Sequence, residues 1–284
     1  FPVLRSRAPA AQAVLHFVRT WGSAPNPGVF RKRRSHLTID GAGAGSTIIQ
    51  AGTDATNGID RVFHLLADAT LSNMTVRFGN LGTSTEGGGI YIDNAAVVNL
   101  TGLAVQNNTA KNGGGIYNTN GTLTVSASTL SGNAAANGHG GGLYHDGGTT
   151  ATLTNVTFSD NSAYLEGGGM CNDSSSPAVT NCSFSDNSAG SSGGGMANRF
   201  ESSPALTNCT FNSNWSDFAG GAMRNDSSPA VLANCTFLDN SAEHGGGIAA
   251  QQVSDHPRTL ERDLFAAVED DDVHVSRSAP ARRR

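Results

Sequence analysis

The sequence is poor in aromatic and charged residues and has few cysteines. Aromatic residues make up 6% of the 284 residues and charged residues 14%, and there are four cysteines and nine prolines. No run of 18 apolar residues occurs, which predicts that no helix of this chain crosses a membrane. With so few aromatic and charged side chains, small residues have to build most of the core and most of the exposed surface.

Basic residues are scarce where glycine is abundant. Residues 35–250 contain 34 of the 36 glycines and 16 of the 23 acidic residues, but five of the 18 Lys and Arg residues. A segment this acidic is not expected to bind nucleic acid, whose recognition requires a basic surface. The composition divides the chain into a non-repeat N-terminal segment or cap (1–34), a repeat domain (35–250) and a non-repeat C-terminal segment (251–284).

The two end segments are expected to close the repeat domain. Their patterns predict one amphipathic helix from about Pro9 to Trp21 and a short helix from about Thr259 to Glu269, with solvated or disordered charges beyond it. The chain begins at Phe1 rather than Met, which indicates a fragment or a processed form. The abrupt changes in composition leave a reading-frame error in the gene model as an alternative.

The strongest pattern is a repeat of three glycines followed by an aliphatic residue, with Gly-Gly-Ala in one copy. The steps between the aliphatic residues are 26, 27, 27, 26, 27 and 25 residues. A near-constant period is typical of stacked structural units. These aliphatic residues, here called anchors, are Ile90, Ile116, Leu143, Met170, Met196, Met223 and Ile248.

A second motif runs in phase with the glycines and predicts a strand in each repeat. Two apolar residues two positions apart enclose a Ser or Thr, which is typical of a strand with one buried face, and Asn follows three positions later. Parallel pairing of successive repeats would stack identical residues in columns. The expected columns are an internal Phe stack (Phe158, Phe184, Phe211, Phe237) and an Asn ladder at a corner (Asn108, Asn133, Asn161, Asn187, Asn214, Asn240).

Together these features predict an all-β fold, a three-sided right-handed parallel β-helix with about 26–27 residues per rung. Glycine suits the tight corners because positive φ carries no steric cost for it. A rung of this length is too long for a left-handed coil, which uses roughly three six-residue repeats per turn. One or two degenerate rungs are expected before Glu86.

The repeats resemble those of the chlamydial polymorphic outer-membrane proteins and of the wider bacterial set of secreted β-helix repeat proteins. The resemblance rests on the Gly-Gly-(Gly/Ala)-(Ile/Met) and Phe-x-x-Asn motifs and on the segment from Leu37 to Ile49, and it covers residues 35–250. It implies a location outside the cell or on a bacterial cell surface, and adhesion as a function. It assigns no chemistry.

Enzymes are an open alternative, because pectate lyases and polygalacturonases share this fold. That likeness of fold implies Asp residues with Arg or His on one outward face of adjacent rungs. The nearest candidates are Asp173, Arg199 and Asp226, each three residues past its anchor, with Arg224 beside them. A surface salt-bridge ladder explains this column more simply, so no catalytic residue is assigned.

His139 is a second candidate for catalysis. It lies in Gly138-His139-Gly140, which resembles a polygalacturonase motif. Its position carries a different residue in most other rungs, and this variability favours an ordinary corner position. The residues at equivalent positions are Glu86, Asn112, Glu166, Ser192, Ala219 and His244.

Metal and cofactor binding are also weakly indicated. Cys182, Cys209 and Cys235 occupy one inward column, where they are expected to be small buried residues with free thiols, and Cys171 follows an anchor. A disulfide or a zinc site is the alternative, but parallel Cβ vectors and the absence of Cys-x-x-Cys disfavour both. An interrupted column of Asp160, Asp186 and Asp239 leaves calcium as a weaker hypothesis, so no metal and no cofactor is assigned.

The sequence therefore favours a non-enzymatic, secreted or surface-exposed β-helix that binds a carbohydrate or a host or cell-surface macromolecule. A polysaccharide lyase or glycoside hydrolase of the same fold is the first alternative, and a structural spacer is the second. An enzyme is expected to bring outward acidic and basic residues together across two or three rungs. An adhesin or spacer is expected to show the periodic ladder with scattered deviations.

Overall fold

A computed structural model describes residues 36–251, except 59, 94 and 149, and the backbone of a strand at 274–275. In these residues the regular structure is β-strand, and no helix long and apolar enough to cross a membrane is found among them. The helices predicted at 9–21 and 259–269 lie outside the described residues. The three-part division of the chain remains a prediction.

One face of the molecule, here called the Met sheet, consists of eight parallel strands that begin at the anchors or their equivalent. Met170 pairs with Met196, and Met196 with Met223. Phe63 pairs with Ile90 and so starts one of the expected degenerate rungs. The strands are Phe63–Leu65, Ile90–Ile92, Ile116–Thr119, Leu143–Asp146, Met170–Asp173, Met196–Arg199, Met223–Asp226 and Ile248–Gln251.

The other long face, the Phe sheet, has 15 strands and bends where a residue with positive φ, such as Asn181 or Asn208, separates two of them. Its register again joins equivalent positions one period apart, as in Phe184 opposite Phe211. The strands are Leu37–Asp40, Ile48–Gln50, Ala69–Ser72, Thr75–Arg77, Val97–Thr101, Ala104–Gln106, Thr122–Ser131, Ala151–Ser159, Ala178–Thr180, Ser183–Ser185, Ala205–Thr207, Thr210–Asn212, Val231–Ala233, Thr236–Leu238 and His274–Val275.

A third, shorter face, the Ala sheet, closes each turn with two-residue strands. A rung is defined here as running from the first glycine of one triplet to the residue before the next triplet, and it is named after its anchor. The Leu143 rung is 140–166, the Met170 rung 167–192 and the Met196 rung 193–219. The Ala-sheet strands are Thr109–Ala110, Ala134–Ala135, Ser162–Ala163, Ser188–Ala189 and Trp215–Ser216.

The core is a set of stacked columns, as the repeat predicts. The rings of Phe158, Phe184, Phe211 and Phe237 lie parallel, with successive centroids 4.6, 4.5 and 5.0 Å apart. All four side chains are fully buried. Leu130 continues the column where the Phe residues end, since it pairs with Phe158. The predicted parallel stack with one rung per repeat is therefore confirmed.

Each glycine of a triplet is required for a different reason. In the Met170 rung Gly167 has a φ of +70°, which disfavours side chains. A Cβ on Gly168 would lie 2.2 Å from the carbonyl oxygen of Ser188, and one on Gly169 would lie 2.5 Å from that of Gly195. Positive φ thus explains the first glycine, whereas close contact with backbone carbonyl groups of the same rung and of the next rung explains the other two.

The predicted Asn ladder is present and fully hydrogen-bonded along the corner. The Nδ2 group of Asn187 donates to Oδ1 of Asn214 at 2.9 Å and to the carbonyl oxygen of Phe158 at 3.0 Å, while its backbone N–H donates to the same Oδ1 at 3.1 Å. The side chain of Asn187 is completely buried. Each Asn therefore joins two rungs and supplies partners that the bend removes from the backbone.

The structure contains a second internal ladder, which the sequence did not predict. Two positions past the anchors, Asn172 donates to Asn198 at 2.8 Å and Asn198 donates to Asn225 at 2.7 Å. His145 occupies this column in the Leu143 rung, and its Nδ1 lies 3.0 Å from Nδ2 of Asn118. The inner side of the Met sheet is therefore polar beside its apolar anchors.

Candidate functional site

The outer side of the Met sheet carries a row of tyrosines one position past the anchors. Tyr91, Tyr117 and Tyr144 stack with parallel rings, at centroid distances of 5.3 and 5.1 Å. In the next two rows Cys171 and Ala197 take the equivalent positions, and both are buried. The row of rings thus ends in a furrow floored by two small residues.

Charged and polar side chains from adjacent rows meet over this floor and are here called the Arg199 cluster: Arg199, Glu166, Asp173, His139 and Tyr144. Arg199 Nη1 lies 3.3 Å from Oε2 of Glu166, and Arg199 Nε lies 3.7 Å from Oδ2 of Asp173. The hydroxyl of Tyr144 donates to Oδ2 of Asp173 at 2.8 Å. Because Cys171 and Ala197 are small, the long Arg199 side chain has room along the sheet.

His139 closes the far side of the Arg199 cluster. Its Nδ1 lies 3.5 Å from Oε2 of Glu166, and Nη1 of Arg199 lies 2.8 Å from its Nε2. Burial, together with the Arg199 charge, lowers the pKa of His139 to about 4. The imidazole is therefore neutral near pH 7, and its unprotonated ring nitrogen can accept a hydrogen bond from the Arg199 guanidinium.

Two carboxyl groups of this region, those of Glu166 and Asp146, lie in surroundings that raise their pKa values. Burial raises the pKa of Glu166 although the Arg199 charge opposes it. Burial and the nearby Asp173 charge raise the pKa of Asp146, which lies next to Asp173 in the register. Burial likewise raises the pKa of Tyr144. Perturbed titratable groups on one outward face are typical of functional sites, although structural networks also produce them.

The predicted column of charged residues is present in register, but its contacts differ from a simple ladder. Asp173 pairs with Arg199, as the sequence indicated. Arg199 additionally crosses the furrow to Glu166, while its guanidinium stacks on Phe200 at 4.7 Å. Arg224 donates a hydrogen bond to Gln251 in the last row. The acidic and basic residues therefore converge across three rows instead of alternating along one edge.

Sequence reasoning missed Glu166 and the tyrosine row. Glu166 and His139 do lie in one corner column, as the alignment of repeats indicated, since the N–H of Gly140 donates to the carbonyl oxygen of Glu166. Their contact with Arg199 depends on how far the Arg199 side chain extends across the sheet. The tyrosines left a signal in the sequence, because Tyr91, Tyr117 and Tyr144 each follow an anchor directly.

The cysteines lie where their column predicted. Cys182, Cys209 and Cys235 are buried and free, and their thiols point toward backbone carbonyl oxygens two residues earlier, as in Cys182 to Thr180 at 3.3 Å. Cys171 is also free, and burial raises the pKa of its thiol. These thiols fill space in the core and under the furrow.

The acidic column considered for calcium has a conformational explanation. Asp160, Asp186 and Asp239 are exposed and have φ values of 55°, 55° and 49°. Asp tolerates this left-handed conformation better than most residues. Within the part of the chain that the structure describes, no group of three or more His, Cys, Asp or Glu side chains is arranged to hold a metal ion.

Parallel strands in register, one turn per repeat and stacked internal columns define a parallel β-helix. The family model described as "Right handed beta helix region" matches residues 58–192 and 116–265, so the chain belongs to the right-handed β-helix family. No curated protein and no solved structure matches the chain.

Proposed function

We propose that this chain is a secreted or surface-exposed β-helix protein that binds an extended carbohydrate along the outer side of the Met sheet. The observation that carries the proposal is the convergence of Arg199, Glu166, Asp173, His139 and Tyr144 on one outward face, directly after a row of stacked tyrosines. The resemblance of the repeats to chlamydial outer-membrane proteins supports an adhesive role outside the cell.

The chemistry of this face suits hydroxyl groups. Carboxylates accept hydrogen bonds from sugar hydroxyls, and the Arg199 guanidinium donates to sugar oxygens in a fixed fork. Rows repeat about every 4.8 Å along the rod, so the surface offers similar partners at regular intervals to a polymer. The described rows contain more acidic than basic residues, which favours a neutral polysaccharide over a polyanionic one.

Glycan-array binding followed by affinity electrophoresis tests this function. Arg199→Ala should weaken retention by the glycans that bind the native chain. Arg77→Ala is a matched control, because Arg77 also stacks on the following Phe (4.6 Å) and pairs with a neutral partner, Gln50, on the Phe sheet. Equal retention by the two variants, or no glycan bound by the native chain, would reject the proposal and favour the structural spacer.

The second candidate is cleavage of a glycan, as a hydrolase or lyase. The raised pKa of Glu166 beside Arg199 and neutral His139 favours it, since an upward shift of the pKa makes a carboxyl group a better candidate for a general acid. Against it, Arg199 is already paired with Glu166 and Asp173. We expect neither new reducing ends nor unsaturated products from pectin, alginate or neutral polysaccharides with calcium supplied. Turnover that is lost in Glu166→Gln or Arg199→Ala would establish the enzyme instead.

A further inference from the structure

Three of the exposed aromatic side chains in the described part of the chain lie at one corner, on the Ala sheet. Tyr164 is 62% exposed, Trp215 45% and Phe218 50%, and Leu165 beside them is also exposed. The fourth exposed aromatic residue, Phe200, lies past the Met sheet. In a chain with 6% aromatic residues, such a grouping at one corner is unusual.

The register places these side chains in two rungs that flank a third. This middle rung carries only small residues at the corner and is here called the bare rung. Ser188 pairs with Ser162 in the rung before it and with Trp215 in the rung after it. The N–H of Ser191 donates to the carbonyl oxygen of Leu165, and the N–H of Phe218 donates to that of Ser191, both at 2.8 Å. Leu165, Ser191 and Phe218 therefore form one column, with the small residue between the two large ones.

The backbone explains why the bare rung has no side chain at its centre. A Cβ on Gly190 would lie 2.5 Å from the carbonyl oxygen of Tyr164, so this position excludes a side chain. Ser188 and Ser191, on either side of it, carry the hydroxyl groups of the floor. The result is a slot, called here the aromatic slot, with walls formed by Tyr164 and Leu165 on one side and Trp215 and Phe218 on the other.

The width of the aromatic slot suits a single ring. Its walls are two rungs apart, or about 9.6 Å at roughly 4.8 Å per rung. A ring stacked between two groups needs about 3.5–4 Å on each side. The Phe218 ring is held from the next rung by His244, whose ring makes an edge contact at a centroid distance of 5.0 Å. The side of the Phe218 ring that faces the bare rung therefore forms the wall of the slot.

We propose that the aromatic slot binds one pyranose ring of a neutral saccharide. The C–H faces of the sugar would stack on the walls, and its hydroxyls would meet Ser188, Ser191 and the rim carboxylate of Asp217. Asp217 lies between Trp215 and Phe218 in the chain, and exposed Glu243 lies in the rung beyond them, so anionic uronates are disfavoured. This proposal rests on the proposed function only for the class of ligand, a carbohydrate. The site itself is separate, because it lies on a different sheet from the Arg199 cluster.

A protein partner fits this corner less well. Stable protein interfaces bury about 800 Å² on each side, whereas the slot is one rung wide and is bordered by Ser and acidic residues. Its apolar atoms form two walls with a polar floor, and this arrangement matches a flat ligand that has apolar faces and polar edges.

Trp215 provides a direct probe, because the sequence contains two tryptophans and Trp21→Phe leaves Trp215 as the single one. Fluorescence of the full chain carrying Trp21→Phe would be titrated with neutral hexasaccharides of glucose, mannose and N-acetylglucosamine, and with oligogalacturonate. We expect a saturable change with at least one neutral hexasaccharide. No response to any of them, or a response to oligogalacturonate alone, overturns the proposal.

Slot variants test the site itself. Ser191→Trp fills the slot without removing a buried group. The affinity of this variant for the neutral hexasaccharide that gives the response, measured by calorimetry, should be about tenfold or more below that of the native chain. Tyr164→Ser with Phe218→Ser should do the same, while Leu238→Ser, which removes an exposed apolar side chain on the Phe sheet, should change affinity less than about twofold. Equal losses in the slot variants and in Leu238→Ser would overturn the slot.

The Arg199→Ala variant separates the two proposals. If the slot variants abolish the Trp215 response and Arg199→Ala leaves it unchanged, the slot is supported whatever the Met sheet binds. If Arg199→Ala abolishes all saccharide binding and the slot variants retain it, the slot is wrong and the proposed function stands. Capture of a protein at this corner that competes with no saccharide would also overturn the slot.

Discussion

The rings of Phe184 and Phe211 lie 4.5 Å apart and within 2° of parallel, although 27 residues separate them in the chain. This offset is one rung, so each ring fills the space directly above its equivalent. Aromatic pairs usually prefer displaced or edge-to-face arrangements. Here the strand register fixes the spacing, and burial of both rings supplies the stabilisation.

Removing one ring from the middle of this column should be costly. Phe211→Ala is expected to lower the free energy of unfolding by about 3–5 kcal/mol, because neighbouring rungs cannot close the cavity. Asp226→Ala, on the outer side of the Met sheet, should cost under about 1 kcal/mol. Denaturant unfolding of both variants measures the difference. Similar losses would mean that the inner and outer columns had been wrongly assigned.

The repeat itself could be predicted from the sequence because each column places the same or a similar residue at equivalent positions of successive rungs. Phe184, Asn187 and Met170 each recur at fixed steps, and the register follows from the period. The positive φ of Gly167 could be foreseen from its corner, whereas the close carbonyl contact at Gly168 needs three-dimensional neighbours.

The Arg199 cluster could be predicted in part. Asp173 and Arg199 share a column, and column positions follow from counting residues. The contacts of Arg199 with Glu166 and His139 run across the sheet, over the space left by Cys171 and Ala197. Periodicity carries no information on the direction of one long side chain, so these contacts could not be predicted from the repeat.

One whole rung should be removable without loss of the fold. Deleting residues 167–192 joins Glu166 to Gly193, which keeps every column in phase because Met196 then follows Leu143 in register. This variant should unfold cooperatively as a shorter rod. Deleting residues 167–179 removes half a period and should prevent folding. Circular dichroism melts compare the two, and the same behaviour in both would contradict the one-rung register.

The Asn ladder should not tolerate a carboxylate. Asn187→Asp places acceptor oxygens against the carbonyl of Phe158 and Oδ1 of Asn214, in a completely buried position. We expect a loss on the order of 3–5 kcal/mol near pH 7. Burial should raise the pKa of the new carboxyl in the folded state, so stability should be regained as the pH falls toward about 4.

Asn208→Asp is the matched control for this substitution. Asn208 is exposed in an outer ladder, with Nδ2 3.1 Å from Oδ1 of Asn181, and its φ of 55° is one that Asp also adopts. Its cost should stay under about 1 kcal/mol. Chemical denaturation at pH 4 and pH 7 separates the two variants, and equal losses would indicate that burial of the inner ladder contributes little.

Acid should destabilise the Arg199 cluster through His139. The pKa of His139 is about 4 in the folded state and about 6.5 when unfolded, so the unfolded chain binds more protons between these values. The stability that depends on neutral His139 is therefore present above about pH 6.5 and is lost as the pH falls toward 4. Glu166 acts in the opposite direction, because its raised pKa makes its contribution fall as the pH rises.

Thermal and chemical unfolding between pH 4 and 7 can resolve these contributions. Relative to the native chain, His139→Asn should lose less stability on acidification, by on the order of 1–2 kcal/mol after solvent screening. Glu166→Gln should lose more, because it removes the opposing titration. His244→Asn, at an exposed position in the same corner column, should follow the native profile. If His139→Asn and His244→Asn gave the same pH profile, burial of His139 against Arg199 would have no influence on stability.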